Sequence, residues 1–325
     1  MARMTLEDWI VGKGVESGIG AIFNTMALCG MEIAVALRAA AVAGDTGALE
    51  SVNVQGETQK KLDVVSNEIF LKRGAESGVL AAMVSEELDD ISLVEAPHPN
   101  ARYALVFDPL DGSSNLDVNG AVGSIFSVLD LGKSTGITQK DVLQAGHRQV
   151  AAGYVLYGPS TTLVLTTGKS VAMFSLDEAS ADFVLSADNI QIPSATNEYA
   201  INASRVNQWY EPTRHYIEDC LAGEAGQGGK RYNMRWCAAM VADMHRILCR
   251  GGIFLYPEDN ETKSKGGRLR LLYEANPMSL LVEAAGGVAS MGTGRILDVQ
   301  PSSLHQRVGV IMGSRDEVVR ACAFY

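Results

Sequence analysis

The segment Leu105-Val106-Phe107-Asp108-Pro109-Leu110-Asp111-Gly112-Ser113-Ser114-Asn115 concentrates the chemistry of this chain. An apolar strand runs into a carboxylate. Pro109 has no N–H to give to a ladder and pulls the chain out of it. Asp111 follows Asp108 in a turn closed by Gly112. Such a turn can fold Asp108 and Asp111 back onto one point, with the Leu110 carbonyl between them. Two carboxylates and a carbonyl are hard oxygen donors, the type that Mg²⁺ or Mn²⁺ prefers. Gly112, Ser113 and Ser114 then offer backbone N–H groups and hydroxyls to a phosphate oxygen. An ordinary Asp-Gly turn uses the same residues, so the metal reading depends on more acids reaching the same place.

Comparable apolar runs do end in acids. Glu86 and Glu87 follow Val79–Ser85, and Glu274 follows Leu269-Arg270-Leu271-Leu272-Tyr273. Carboxylates at strand ends stand where α/β folds place ligands. Glu57 and Asp63 would splay by roughly 240° on one helix. They converge only if a helix starts near Leu62 and Glu57 lies on the loop before it. Lys60 and Lys61, between them, could neutralise part of the acidic cluster.

The elements that must position these groups are legible along the chain. Asn24–Ala43 has helical spacing, and Leu62–Lys72 reads as a second helix stopped by Gly74. Val79–Ser85, Tyr103–Phe107, Ile125–Asp130, Val150–Tyr157, Thr161–Thr166 and Val171–Phe174 read as strands, with a turn at Gly158-Pro159-Ser160. Further on, Glu211–Ala222, Trp236–Arg250, Asn276–Ala285 and Arg315–Ala323 read as helices, with Pro277 suited to a first turn. Gly252–Tyr256 and Val308–Met312 read as strands. Helices and strands alternate in both halves, which favours an α/β sandwich with a boundary near residues 190–197.

Composition limits the function classes. The chain has 325 residues, enough for two domains, and a formal net charge of −11. Bulk charge of that sign repels nucleic acid and acidic membranes, so neither is an expected partner. A substrate with several phosphates is repelled too, so its site needs local positive charge or metal ions. The five cysteines are scattered with no C-x-x-C pair, which argues against a disulfide framework and a structural zinc. Glu32 and Arg38 interrupt the most apolar stretch, Met26–Gly44, and the N-terminus has no cleavable apolar core, so a cytoplasmic location is expected. No P-loop, no G-x-S-x-G elbow and no histidine pair with metal-ligand spacing is present. His245 reads as a hydrogen-bonded helix residue.

Five segments together resemble one family. Val84-Ser85-Glu86-Glu87, Phe107 through Asn115, Met240-Val241-Ala242-Asp243-Met244-His245-Arg246, Gly251-Gly252-Ile253-Phe254-Leu255-Tyr256-Pro257 and Leu269 through Pro277 look like signature segments of class 1 fructose-1,6-bisphosphatase, in the family's order. The D-P-x-D-G-S core also occurs in inositol monophosphatases; the two later segments are narrower. The resemblance implies a layered αβαβα sugar-phosphatase fold, a homotetramer and a sugar bisphosphate substrate. It implies an N-terminal domain over 1–193 with most metal ligands and the catalytic water site, and a C-terminal domain over 194–325 with the sugar-phosphate contacts and one metal ligand. Glu86, Asp108, the Leu110 carbonyl, Asp111 and Glu274 are implied metal ligands. Glu57 falls where some members have Asp. Asp63 and Glu87 fall where the family polarises the attacking water.

For the phosphate distal to the metals, Asn202, Tyr256 and Arg268 match binding positions, Arg268 replacing a Lys. Arg235 matches an arginine that reaches into a neighbouring subunit's site, and Trp236 stands where many members have Tyr. Downstream of Asn202 an expected Tyr is missing, with Arg205 or Val206 in its place. Many members bind AMP near the N-terminus. Here the stretch is Glu16-Ser17-Gly18-Ile19-Gly20, and Asp130 stands where an arginine is expected beside Arg102-Tyr103, so weak or absent AMP inhibition is expected. The implied reaction is Mg²⁺-dependent (or Mn²⁺-dependent) attack of water on the 1-phosphate, assisted by Asp63 and Glu87, with Ser113 and Ser114 steadying phosphoryl oxygens. Sedoheptulose 1,7-bisphosphate is the alternative substrate, alone or beside the fructose ester, and a metal-binding module without catalysis is a more distant reading.

Overall fold

The computed structural model describes residues 3–44, 48–52 and 58–325. Five layers follow from how apolar residues are shared among the elements. Helices Leu6–Gly12, Ser17–Ala43 and Lys61–Glu76 cover one face of an eight-stranded sheet. Ile22, Phe23, Met26 and Phe70 from these helices meet Phe107, Phe126, Leu163 and Phe174 from the sheet. The opposite face carries Ile125, Tyr154 and Val164, packed on helices Met240–Arg250 and Asn276–Ala284. Those helices also receive Ala200, Phe254, Val310 and Met312 from a five-stranded sheet. The far face of the second sheet holds Tyr199, Ile201, Ile253, Leu255 and Ile311 against helices Glu211–Ala222 and Arg315–Cys322. Successive strand residues point to opposite faces. Ile253, Phe254 and Leu255 therefore alternate between two cores, and the order of layers is αβαβα.

The large sheet spans Leu80–Ala187 and is antiparallel apart from the parallel pair Leu80–Ser85 and Tyr103–Asp111. In the small sheet, Glu198–Ile201 runs parallel to Ile253–Tyr256, which runs antiparallel to Val310–Gly313. Asp182–Ala187, the two-residue Ser92–Leu93 and Glu198–Ile201 are strands that the sequence pattern does not announce. Asp182–Ala187 is partly exposed and mixes polar with apolar residues, and the other two are too short for a period to show.

Several boundaries differ from expectation for physical reasons. The Ser17–Ala43 helix starts seven residues before Asn24, and Glu16 caps it by accepting the Ile19 N–H at 3.0 Å. At that length it is long and apolar enough to cross a membrane, yet its apolar face, from Ile19 to Ala34, is committed to the sheet. Gly74 does not stop its helix, which continues to Glu76. It allows close packing: a Cβ there would stand 2.4 Å from Met83 Sδ. Trp236 through Ala239 precede the helix, which begins at Met240. The apolar run at Leu269 is a strand only for Leu269–Arg270; Leu271–Ala275 form a π-helical turn.

Candidate active site

The acids converge because one strand is irregular. Asp108 pairs with Ile125 and Asp111 with Gly123, so three steps on one strand match two on its neighbour. Residues three apart in a regular strand face opposite ways. The extra residue, introduced at Pro109-Leu110, puts both carboxylates on the same face. Gly112 follows at φ +78, and a Cβ there would lie 2.4 Å from that of Ala239. Only glycine takes this left-handed turn so close to the neighbouring chain. The chain then winds into the short helix Ser113–Val118.

Glu274 arrives from the π-helical turn. One ligand oxygen each from Asp108, Asp111 and Glu274 lie within 4.8 Å of one another, and all three residues are buried. Each carboxylate is oriented by a backbone N–H: Leu110 donates to Asp108 at 2.9 Å, Val241 to Asp111 at 2.7 Å and Arg270 to Glu274 at 2.6 Å. Glu86 hydrogen-bonds Asp108 and meets the Arg270 guanidinium at 3.0 Å. Burial, then the neighbouring acids Glu86, Asp111 and Glu274, push Asp108 well above the carboxylate range. Burial pushes Asp111 up, and Glu274 adds to it; burial raises Glu86 too, against the pull of Arg270. Packed hard oxygen donors that resist ionising together fit a divalent cation. Glu274 thus joins the acids, though from a helical turn and not from the strand end that its apolar run suggests.

Asp63 opens the Lys61–Glu76 helix, and its carboxylate accepts the Lys60 N–H at 2.8 Å. Burial raises its pKa to about 6, with Glu87 pushing the same way and the Lys60 N–H and Ser113 hydrogen bonds opposing. A carboxylate poised there can accept a proton near neutral pH. A cleft of about 710 Å³ is lined by Asp63, Glu86, Glu87, Asp108, Leu110, Asp111, Gly112, Ser113 and Ser114. Asn202, Tyr256 and Arg268 line the same cleft. Glu57 lies outside the described residues.

Arg235 does not line this cleft; it is exposed, 3.7 Å from Glu198. Arg205 is turned away to Asp259, with bonds of 2.7 and 2.9 Å, and Val206 lines a separate apolar hollow with Trp209. The Asn202 side-chain oxygen accepts from Ser204 Oγ at 2.6 Å. His245 meets the Tyr154 hydroxyl at 2.9 Å, a hydrogen-bonded helix residue as expected.

Three cleft residues were not singled out for the site. Arg270 sits four residues before Glu274, a spacing that could have marked it as a partner of that acid. Asp117 stands 2.8 Å from Lys60 Nζ across the cleft wall. Phe254, read only as strand, stacks on Trp236 with centroids 5.8 Å apart.

A second cavity, of about 640 Å³, is lined by Glu16, Ser17, Gly18, Arg102 and Tyr103. Its charged groups are already paired. Glu16 accepts from the Tyr103 hydroxyl at 2.8 Å, and Arg102 Nε donates to Asp130 at 2.9 Å.

Comparison with known proteins agrees along the whole chain. Residues 4–188 match the family described as fructose-1-6-bisphosphatase, N-terminal domain, and residues 192–325 match its C-terminal domain. The holo form of Leishmania major fructose-1,6-bisphosphatase is 36% identical, with a TM-score of 0.93, over 100% of this chain and 99% of that one. The apo form of the same enzyme gives 35% identity and a TM-score of 0.87 over 99% of both chains.

Proposed function

Because this chain belongs to the fructose-1,6-bisphosphatase family, we propose that it removes the 1-phosphate of fructose 1,6-bisphosphate in a Mg²⁺- or Mn²⁺-dependent hydrolysis, yielding fructose 6-phosphate and phosphate. The observation that carries this reading is the meeting of Asp108, Asp111 and Glu274 within 4.8 Å, two of these acids lining a cleft that Arg268 and Tyr256 also line.

Glu86, Asp108, Asp111, Glu274 and the Leu110 carbonyl would hold the divalent cation. When bound, it neutralises phosphate charge and makes water a better nucleophile. Asp63 takes the proton from the attacking water, with Glu87 beside it orienting that water. Ser113, Ser114 and the backbone at Gly112 hold phosphoryl oxygens. Arg268 and Tyr256 bind the distal phosphate, so the cleft fixes the ester at both ends. In a homotetramer, the exposed Arg235 would serve a neighbouring subunit's cleft, which agrees with its absence from its own.

With Arg205 turned to Asp259 and the Asn202 oxygen engaged by Ser204, the sugar end makes fewer contacts than the family pattern implies. That favours tolerance of a longer sugar, and sedoheptulose 1,7-bisphosphate is the second substrate to test. Phosphate release from fructose 1,6-bisphosphate, sedoheptulose 1,7-bisphosphate and inositol monophosphate, with and without Mg²⁺, tests the reading. Fastest metal-dependent release from the fructose ester supports it. No release from either bisphosphate refutes it.

A further inference from the structure

The C-terminal half carries a buried charged cluster that this chemistry does not use. Glu317, in the first turn of the Arg315–Cys322 helix, is 2% exposed. It accepts hydrogen bonds from Tyr216 Oη at 2.9 Å, Tyr232 Oη at 3.1 Å, Lys230 Nζ at 3.2 Å and Arg320 Nε at 2.8 Å. The Arg320 guanidinium lies 4.7 Å from the Tyr216 ring centroid and 5.2 Å from that of Tyr232. It also bonds Asp219, which accepts the backbone N–H groups of Gln227 and Gly228. These contacts converge on the segment Gly223–Tyr232 from the two helices that flank it.

That segment needs outside support. It reads Gly-Glu-Ala-Gly-Gln-Gly-Gly-Lys-Arg-Tyr, and its glycines give it little conformational preference of its own. Directly after Tyr232 the chain forms the edge strand Asn233–Met234, held by two pairings, Glu198 with Asn233 and Tyr199 with Met234. Trp236 follows and lines the cleft against Phe254 and Tyr256. Trp236 is four steps along the chain from Tyr232, a reach of at most about 14 Å. Arg235 N–H donates to the Tyr199 carbonyl at 2.8 Å and Cys237 N–H to Asp243 at 2.9 Å, so on the near side of Trp236 the edge strand and Tyr232 set its course, and on the far side Cys237 does.

The geometry points to Glu317 and Arg320 as positioning residues for the sugar-phosphate end of the cleft, acting through Tyr232 and the edge strand on Trp236. This rests on the proposed function of the cleft. None of the cluster residues is one of the metal-binding acids, so loosening the cluster weakens substrate binding and leaves the chemical step alone.

Two mild variants test it. Tyr232→Phe removes the hydroxyl bonded to Glu317 and keeps the ring over Arg320. Arg320→Lys keeps the charge and loses the planar fork. Trp9 and Trp209 are buried while Trp236 is half exposed, so acrylamide quenching of tryptophan fluorescence reports chiefly Trp236. Both variants are expected to raise KM for fructose 1,6-bisphosphate about fivefold, the equivalent of one net hydrogen bond. kcat should be unchanged and quenching increased. Unchanged KM and quenching, with or without a fall in Tm, would overturn the proposal and leave the cluster a purely structural one. Should the wild-type protein release no phosphate from the bisphosphate, the functional reading fails, and quenching alone still decides whether the cluster positions Trp236.

Discussion

The Arg270 guanidinium stands 3.0 Å from a Glu86 carboxylate oxygen, and both side chains are buried. It brings positive charge to the acids before any metal arrives. Removing one member of a buried pair strands the other. Arg270→Met is therefore expected to lose about 3–5 kcal/mol of stability in metal-free protein. Urea unfolding in EDTA measures this. A midpoint matching wild type would show that the pair contributes nothing to the fold.

Asp111→Ala and Glu274→Ala each delete one of the three converging oxygens. Losing several kcal/mol of charge stabilisation lowers kcat by about a thousandfold or more. The same variants should lose the rise in Tm that Mg²⁺ gives the wild-type protein. Either variant turning over at near-normal Mg²⁺-dependent rates contradicts the assignment.

Asp63 supplies a pH signature. Burial raises its pKa to about 6, so the folded protein holds this proton more tightly than the unfolded chain does. The associated stabilisation is complete below the ordinary carboxylate range and is lost as pH rises through about 6. The active base form is gained over the same interval, so kcat should fall on acidification through about pH 6. Asp63→Asn should cost about 10²- to 10⁴-fold in kcat and erase that limb. An acid limb that survives in Asp63→Asn would belong to another group.

The cavity beside the start of the Ser17–Ala43 helix is expected to reject nucleoside monophosphates. The Glu16 carboxylate occupies the helix N–H at Ile19, and Asp130 holds Arg102. A phosphate there meets the Glu16 carboxylate, and the cations that line the cavity, Arg102 and Lys133, are held by Asp130 and Asp141. Phosphate-release assays with increasing AMP should show no inhibition at micromolar levels. Micromolar inhibition relieved by Tyr103→Phe would refute this expectation.

What the sequence made legible follows from how local each signal is. The turn at Asp108–Ser114 is written in adjacent residues, and the structure folds it around the acids as its Pro and Gly require. The metal-facing role of Glu274 was legible from the apolar run before it and from the family resemblance, but its backbone was not, because that run looks like a strand. Leu271–Ala275 wind as a π-helical turn to reach the apolar layer through Leu272 and Tyr273. Arg270 was passed over because a cation among acids is explained only by distances across the fold. Which of Arg205 and Val206 stands in the place of the missing Tyr was open in the sequence, and the pairing of Arg205 with Asp259, 54 positions away, is a tertiary fact. Helix starts slipped where capping came from an unusual residue: Glu16 caps the Ser17–Ala43 helix where Ser, Thr or Asp is the common signal.

The irregularity between Asp108 and Asp111 makes the site sensitive to parity. Three residues is an odd step, and a pleated chain turns an odd step into opposite directions unless one residue goes uncounted by its neighbour. Shortening this stretch by a single residue would restore a regular ladder and bring the count back into register. Lengthening it by one residue, with a single residue still uncounted by its neighbour, would instead turn one acid to the opposite face, so a chain with every ligand residue type intact could still present them to the wrong side. Substitution here alters the strength of the site, whereas an insertion decides whether the site exists.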